Sequence, residues 1–174
     1  YLEHRLRKPT PVTTGGPRSI PKRLVRRLRH HLPEAALNRF ENEITGDRVT
    51  ETSSAEAVLA YFKRRTANGG LMLVAEAEGR VIGHLFLSVE EAAPFLAPNY
   101  RRECSICDAF VEEASRGQGA FRAMLEIATA HARAAGCKRL HIGVLTGNDR
   151  AERIYRKAGF RSYALELVQE LDPP

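Results

Sequence analysis

Val111-Glu112-Glu113-Ala114-Ser115-Arg116-Gly117-Gln118-Gly119-Ala120-Phe121 is the stretch on which the reading of this chain turns. Before it, Ser105–Val111 is an apolar run that reads as a strand. After it, Phe121, Met124, Leu125, Ala128 and Ala132 recur at helical spacing, and Gly136 stops the pattern. A strand that passes through a glycine turn into a helix aims several unpaired N–H groups at one point, backed by the helix dipole. Such a junction suits a phosphate or pyrophosphate, and glycines at 117 and 119 let a ligand approach the backbone. The same residues also read as a plain strand-to-helix turn, and the segment alone does not choose. The chain carries neither Gly-x-x-x-x-Gly-Lys-Ser/Thr nor Gly-x-Gly-x-x-Gly, so the usual nucleotide loops are not indicated.

Working upstream, Leu71–Ala77 and Val81–Val89 are apolar strands separated by Glu78-Gly79-Arg80, a tight hairpin. Glu90–Arg102 is a proline-containing loop. Ala55–Arg65 reads as a helix capped by Ser54, with Val58, Leu59 and Phe62 inward, ending at Asn68-Gly69-Gly70. Asp47–Thr52 suggests a short strand, and Glu34–Ile44 a short helix. Pro21–Leu32 is a basic helical run preceded by a Pro/Gly linker over residues 9–21. Downstream, Arg139–Leu145 reads as a strand, Arg150–Ala158 as a helix and Ser162–Val168 as a closing strand. The order predicts an α/β fold, a mixed sheet with helices on both faces, and a helical N-terminal extension. We divide the chain into a basic, partly helical segment, 1–46, and a folded α/β domain, 47–174.

The 174 residues and 19.4 kDa suit one domain, and 43% hydrophobic with 28% charged residues is ordinary globular composition. The net charge of +6 lies entirely in residues 1–46, which hold ten Lys/Arg against four Glu. That run, Lys22–Arg29, lacks aromatic residues for base stacking, so we expect a charged outer helix face rather than a nucleic-acid site. No apolar run approaches the ~18 residues of a membrane span, and the first residues lack a signal peptide's apolar stretch. Cys104, Cys107 and Cys137 are too few and odd in number for a disulfide framework, so a reducing, cytoplasmic setting is expected. Cys104 and Cys107 sit at i and i+3 of a strand, facing opposite sides, so no metal site is expected there.

A second stretch carries chemistry: Thr146-Gly147-Asn148-Asp149-Arg150-Ala151-Glu152-Arg153-Ile154-Tyr155-Arg156-Lys157-Ala158-Gly159-Phe160. Alone, Asn148 reads as a helix cap and Tyr155 as a core residue. In order, however, the two stretches resemble the GNAT superfamily of acyl-CoA N-acyltransferases. Arg116-Gly117-Gln118-Gly119-Ala120 matches the first five positions of the signature Arg/Gln-x-x-Gly-x-Gly/Ala. Asn148, Ala151, Tyr155, Gly159 and Phe160 match the later motif, and Ile106–Val111 looks like the family's fourth strand. Phe121 departs from the final Gly/Ala.

The resemblance implies acetyl-CoA wedged between a splayed fourth and fifth strand. Its pantetheine arm would pair near Phe110 and Val111, and its pyrophosphate would rest on the amides of Arg116, Gly117, Gln118, Gly119, Ala120 and Phe121. Tyr155 would protonate the departing thiolate, and Asn148 would hold the cofactor or a water. No metal is implied. For the general base, strand alternation puts Glu103 on the face of Ser105 and Cys107, with Asp108 on the other, so Glu103 is the first candidate, ahead of Asp108 and His84. The expected activity is acetyl transfer from acetyl-CoA to an amine of a small-molecule acceptor. Alternatives are acetylation of a protein amine or RNA held by the basic segment, and an acyl-CoA sensor without turnover. The sequence leaves the oligomeric state open, a homodimer included, and gives no ground for a membrane partner.

Overall fold

The computed structural model describes residues 34–49 and 55–171. The Pro/Gly linker and the basic helical run lie outside them, as does most of the expected strand Asp47–Thr52; its described part, 47–49, is not a strand. The chain divides into two compact units, one ending at Gly143 and one beginning at Val144.

The first unit is a four-stranded mixed sheet in the order β1-β2-β3-β4. Its strands are β1 (Leu71–Ala77), β2 (Arg80–Glu91), β3 (Arg102–Val111) and β4 (Leu140–Ile142). β1, β2 and β3 are antiparallel, and β4 joins β3 in parallel. β3 is the strand that resembles the family's fourth. The β1–β2 turn holds Glu78 at φ 52° and Gly79 at φ 77°, the doubly positive turn that matches the twist of a two-residue hairpin.

β2 is buried from Val81 to Val89, as a central strand covered on both faces must be. Helix α1 spans Glu34–Thr45 and α2 spans Ala55–Thr66. α2 covers one face, where the rings of Phe62 and Phe86 lie 4.4 Å apart. Helix α3 (Ala120–Ala134) buries Met124, Leu125, Ala128 and Ala132 of the stripe read from the sequence, together with Ala120, while Phe121, the stripe's fifth member, is half-buried. It packs along β1, β2 and β3, covering the face that carries Leu85, Leu87 and Cys104. His131 Nε2 lies 2.7 Å from the carbonyl of Gly69, pinning α3 to the start of β1.

Gly70 shows how tightly α2 meets the sheet. A Cβ there would lie 2.3 Å from the Leu87 carbonyl oxygen and 2.7 Å from Thr66 Cα, both backbone atoms that cannot swing away. Gly70→Ala is therefore expected to destabilise the domain by about 3 kcal/mol, lowering Tm by roughly 10 °C. An unchanged melting curve would show that the α2–β1 junction relaxes freely.

The cysteine reading needs correction. Cys104 on β3 and Cys137 after α3 are joined as a disulfide, with Cα atoms 6.1 Å apart and a sequence separation of 33. An odd count does not prevent one pair from forming, and only the packing of α3 brings Cys137 to β3. Cysteine usage therefore gives no argument for a reducing compartment. No helix among the described residues is long and apolar enough to cross a membrane.

In the second unit, helix α4 spans Asp149–Lys157. The expected closing strand Ser162–Val168 is not formed: residues 161–170 have no regular secondary structure, and Leu165, Leu167 and Val168 are exposed. The alternation of Tyr163, Leu165 and Leu167 supplies a face, but a strand exists only through the ladder it joins. β4 is likewise three residues long rather than the seven expected, because its ladder with β3 stops at Ile142.

Candidate functional site

The glycine turn after β3 is built as the sequence implies. A 3-10 turn over Glu113–Ser115 leads to Gly117 at φ 77° and Gly119 at φ 86°, and α3 begins at Ala120. A Cβ at either glycine would meet nothing within 4 Å. Internal packing therefore does not demand these glycines; their left-handed backbone does, and the space above them is open to a ligand. The hydrogen-bond ladder of α3 opens with Ala123 N–H donating to the Gly119 carbonyl at 3.0 Å. No acidic side chain occupies the first turn of α3, and no side chain caps it. The first turn of α3 thus sets its helix dipole there without a carboxylate of its own.

Two details refine the loop. The Arg116 amide already donates to Glu113 at 3.1 Å, so the Arg116 N–H is spent inside the turn. Its guanidinium Nε donates to the Val111 carbonyl at 2.9 Å and lies 5.9 Å from the Phe110 ring centre. Arg116 thus ties the loop back to the strand. The Gln118 side chain donates to the Ala114 carbonyl at 3.3 Å. Phe121, the departure from the signature, is half-buried on the first turn of α3.

The β3–β4 ladder has three pairs, Cys104↔Leu140, Ser105↔His141 and Ile106↔Ile142. From Cys107 to Val111 no described strand pairs with this edge of β3. Glu112 N–H donates to the Ile82 carbonyl at 2.9 Å. Backbone groups alternate along a strand, so those of Val111 point away from β2, toward the open edge. The Val111 carbonyl there already accepts from Arg116 Nε, so an extended ligand arm can pair through the Val111 N–H, within a few residues of the glycine loop.

The side-chain faces of β3 differ from the sequence reading. Leu87 pairs with Ile106 and Phe86 with Asp108, so Cys107 is the extra residue of a β-bulge. Cross-strand partners share a face, so alternation resets at Cys107. Asp108 and Phe110, opposite Phe86 and His84, lie on the same face as Glu103 and Ser105, opposite Glu90 and Ser88. Asp108 therefore does not point away from Glu103. Its Oδ2 lies 3.1 Å from His84 Nε2. Glu103 precedes the closed β3–β4 ladder, on the side remote from the open edge. Single-strand alternation missed this pairing. A signal was present nonetheless: His84 and Asp108 each interrupt an apolar run, and a buried polar group needs a partner.

Cys107 is the free thiol at the bulge, donating to the Phe86 carbonyl at 3.4 Å. Burial, reinforced by the Asp108 charge, pushes its pKa up to about 11. Roughly one thiol in a thousand is then ionised at pH 8. Iodoacetamide labelling of Cys107, followed by mass spectrometry, should be negligible at pH 8 and accelerate about 100-fold by pH 10. Rapid labelling at pH 8 would contradict the burial.

In the second unit, Asn148 is the N-cap of α4: its Oδ1 accepts from Ala151 N–H at 3.1 Å. Its Nδ2 takes no part in that cap. Tyr155 is half-buried on α4, with its ring 6.2 Å from Phe160 in an edge-on arrangement.

Comparison with known proteins agrees with this architecture. Residues 36–160 match the family model of the acetyltransferase (GNAT) family. The chain belongs to that family. No curated protein matches the sequence. Among solved structures, a tetramutant of the BH1408 protein from Bacillus halodurans superposes with a TM-score of 0.69 at 18% identity, covering 93% of this chain and all of that one. A predicted acetyltransferase with acetyl-CoA from Clostridium acetobutylicum gives 0.65 at 17%, covering 92% and 96%. AAC(6')-Iy in complex with the bisubstrate analogue CoA-S-monomethyl-acetylneamine gives 0.65 at 12%, covering 94% and 100%. At these identities the GNAT likeness is one of fold.

Proposed function

We propose that this GNAT-family protein transfers an acetyl group from acetyl-CoA directly to a primary amine on a small-molecule acceptor. The observation that carries the reading is the β3 edge, open from Cys107 to Val111 and running into the uncapped, acid-free start of α3. A thioester carrier with a diphosphate and an amide-bearing arm fits both parts. The diphosphate would take the amides of Gly117, Gln118, Gly119, Ala120 and Phe121. The arm would pair with β3 near Phe110 and Val111. The solved relative that holds acetyl-CoA and the one that holds a bisubstrate analogue support the same class of ligand.

The chemistry needs few groups. A primary amine has a pKa of ~10.4, so near neutrality it must lose a proton before it can attack the thioester. The oxyanion that forms needs a donor, and backbone N–H groups along the open edge of β3 can supply one. The leaving thiolate needs a proton, for which Tyr155 is the candidate, with Asn148 holding the carrier or a water. The sequence favours Glu103 as base; the bulge brings Asp108 forward as its rival.

Titration calorimetry with acetyl-CoA, followed by thiol release from an amine panel, tests the reading. Binding together with amine-dependent thiol release supports it. Binding with no amine turned over would instead indicate an acyl-CoA sensor.

A further inference from the structure

The His84–Asp108 pair is a buried ionisable couple that the family signature does not account for. The His84 side chain is 1% exposed and that of Asp108 10%. The imidazole stacks on Phe86, with ring centres 4.7 Å apart and planes 18° apart, and lies 6.1 Å from Phe110. Its Nδ1 has no hydrogen-bond partner among the described residues. Aromatic rings and a single polar contact therefore hold it, and that contact is Asp108. An Nε2–H on the imidazole donates to the carboxylate and fixes where the carboxylate points.

Position adds the second argument. The β3–β4 ladder closes through Ile106, the bulge follows at Cys107, and Asp108 is the next residue. The carboxylate thus stands where the edge of β3 opens. The other polar groups on this face are less well placed. Glu90 is paired with Arg65 at 3.0 Å, and Ser105, His141 and Glu103 lie within or before the closed ladder. The Cys107 thiol is neutral near pH 7.

We propose that Asp108 takes the proton from the acceptor's ammonium group, with His84 as the positioning residue that aims its carboxylate. This rests on the amine-acetylation reading. The N–H bond breaks, its electron pair stays on nitrogen, and the proton moves to an Asp108 oxygen. The nitrogen pair then forms the C–N bond to the thioester carbon. As the C–S bond breaks, its electron pair goes to sulfur, which takes a proton from the Tyr155 phenol, and the second nitrogen proton passes to water, from which the phenolate is reprotonated. One amide and one thiol result, and Asp108 returns its proton to water.

The test uses the full chain and an amine that the wild type acetylates. Asp108→Asn should lower kcat about 100-fold or more, with acetyl-CoA Kd within twofold of wild type. His84→Leu should lower kcat about tenfold at unchanged Kd, and His84→Gln, which keeps an N–H donor, should recover most of it. In 15N spectra the His84 Nε2 signal should shift in Asp108→Asn whether or not substrate is present. If Asp108→Asn does not fold, Asp108→Glu must turn over at least tenfold faster than Asp108→Gln. Full kcat in Asp108→Asn, full kcat in His84→Leu, or an equal loss confined to Glu103→Gln would each overturn the assignment. Failure of the underlying reading would show in the wild type itself, as acetyl-CoA binding with no amine acetylated, and would take this assignment with it.

Discussion

Gly119→Asp should weaken acetyl-CoA binding by about two to three orders of magnitude while leaving the domain folded. The backbone at 119 is left-handed, φ 86°, so any side chain costs about 1–2 kcal/mol there. Asp tolerates that region better than most residues, and a negative charge at the start of a helix returns about 0.3–1 kcal/mol. Space is no obstacle, because nothing lies within 4 Å of an added Cβ. The net loss of stability should therefore be small. The loss of binding should not be: a carboxylate ~4 Å from a phosphate, at an effective dielectric near 20, is opposed by about 4 kcal/mol. That corresponds to a Kd weakened by two to three orders of magnitude. Gly119→Ala separates the causes, since it bears the backbone strain without the charge and should weaken binding tenfold at most. Calorimetry with acetyl-CoA reads both variants. Undiminished binding by the Asp variant would put the diphosphate elsewhere.

The parts legible in the sequence share one property: each is specified by residues close together in the chain. The stripe of α3, the β1–β2 turn and the glycine loop are all local patterns, and they appear where the sequence placed them. What was not legible depends on pairing between distant segments. The disulfide needs α3 packed before Cys137 meets Cys104. The length of β4 and the absence of a strand at Ser162–Val168 are properties of ladders, not of alternation. The bulge at Cys107 matters most for the candidate site. One extra residue on β3 moves Asp108 to the opposite face, and only the register against β2 reveals it. Asn148 shows the converse limit: its capping bond is plain in both sequence and structure, and it is compatible with a second use of its Nδ2.

Tyr155→Phe should lower kcat by about two orders of magnitude or more, with little change in acetyl-CoA Kd. The substitution removes one oxygen and keeps the ring, so the edge-on contact with Phe160 and the packing of α4 persist. A phenol that donates to the departing sulfur is needed only as the C–S bond breaks, and a group used only in the transition state changes kcat rather than affinity. The outcome divides the readings cleanly. A large fall in kcat at constant Kd assigns the phenol to thiolate protonation. A rise in Kd at constant kcat would make Tyr155 a binding contact. No change in either would remove it from the mechanism and leave solvent as the proton source. Combining Tyr155→Phe with Asp108→Asn sharpens the test: if the two serve one reaction as acid and base, a residual background route should make the double loss smaller than the product of the single losses.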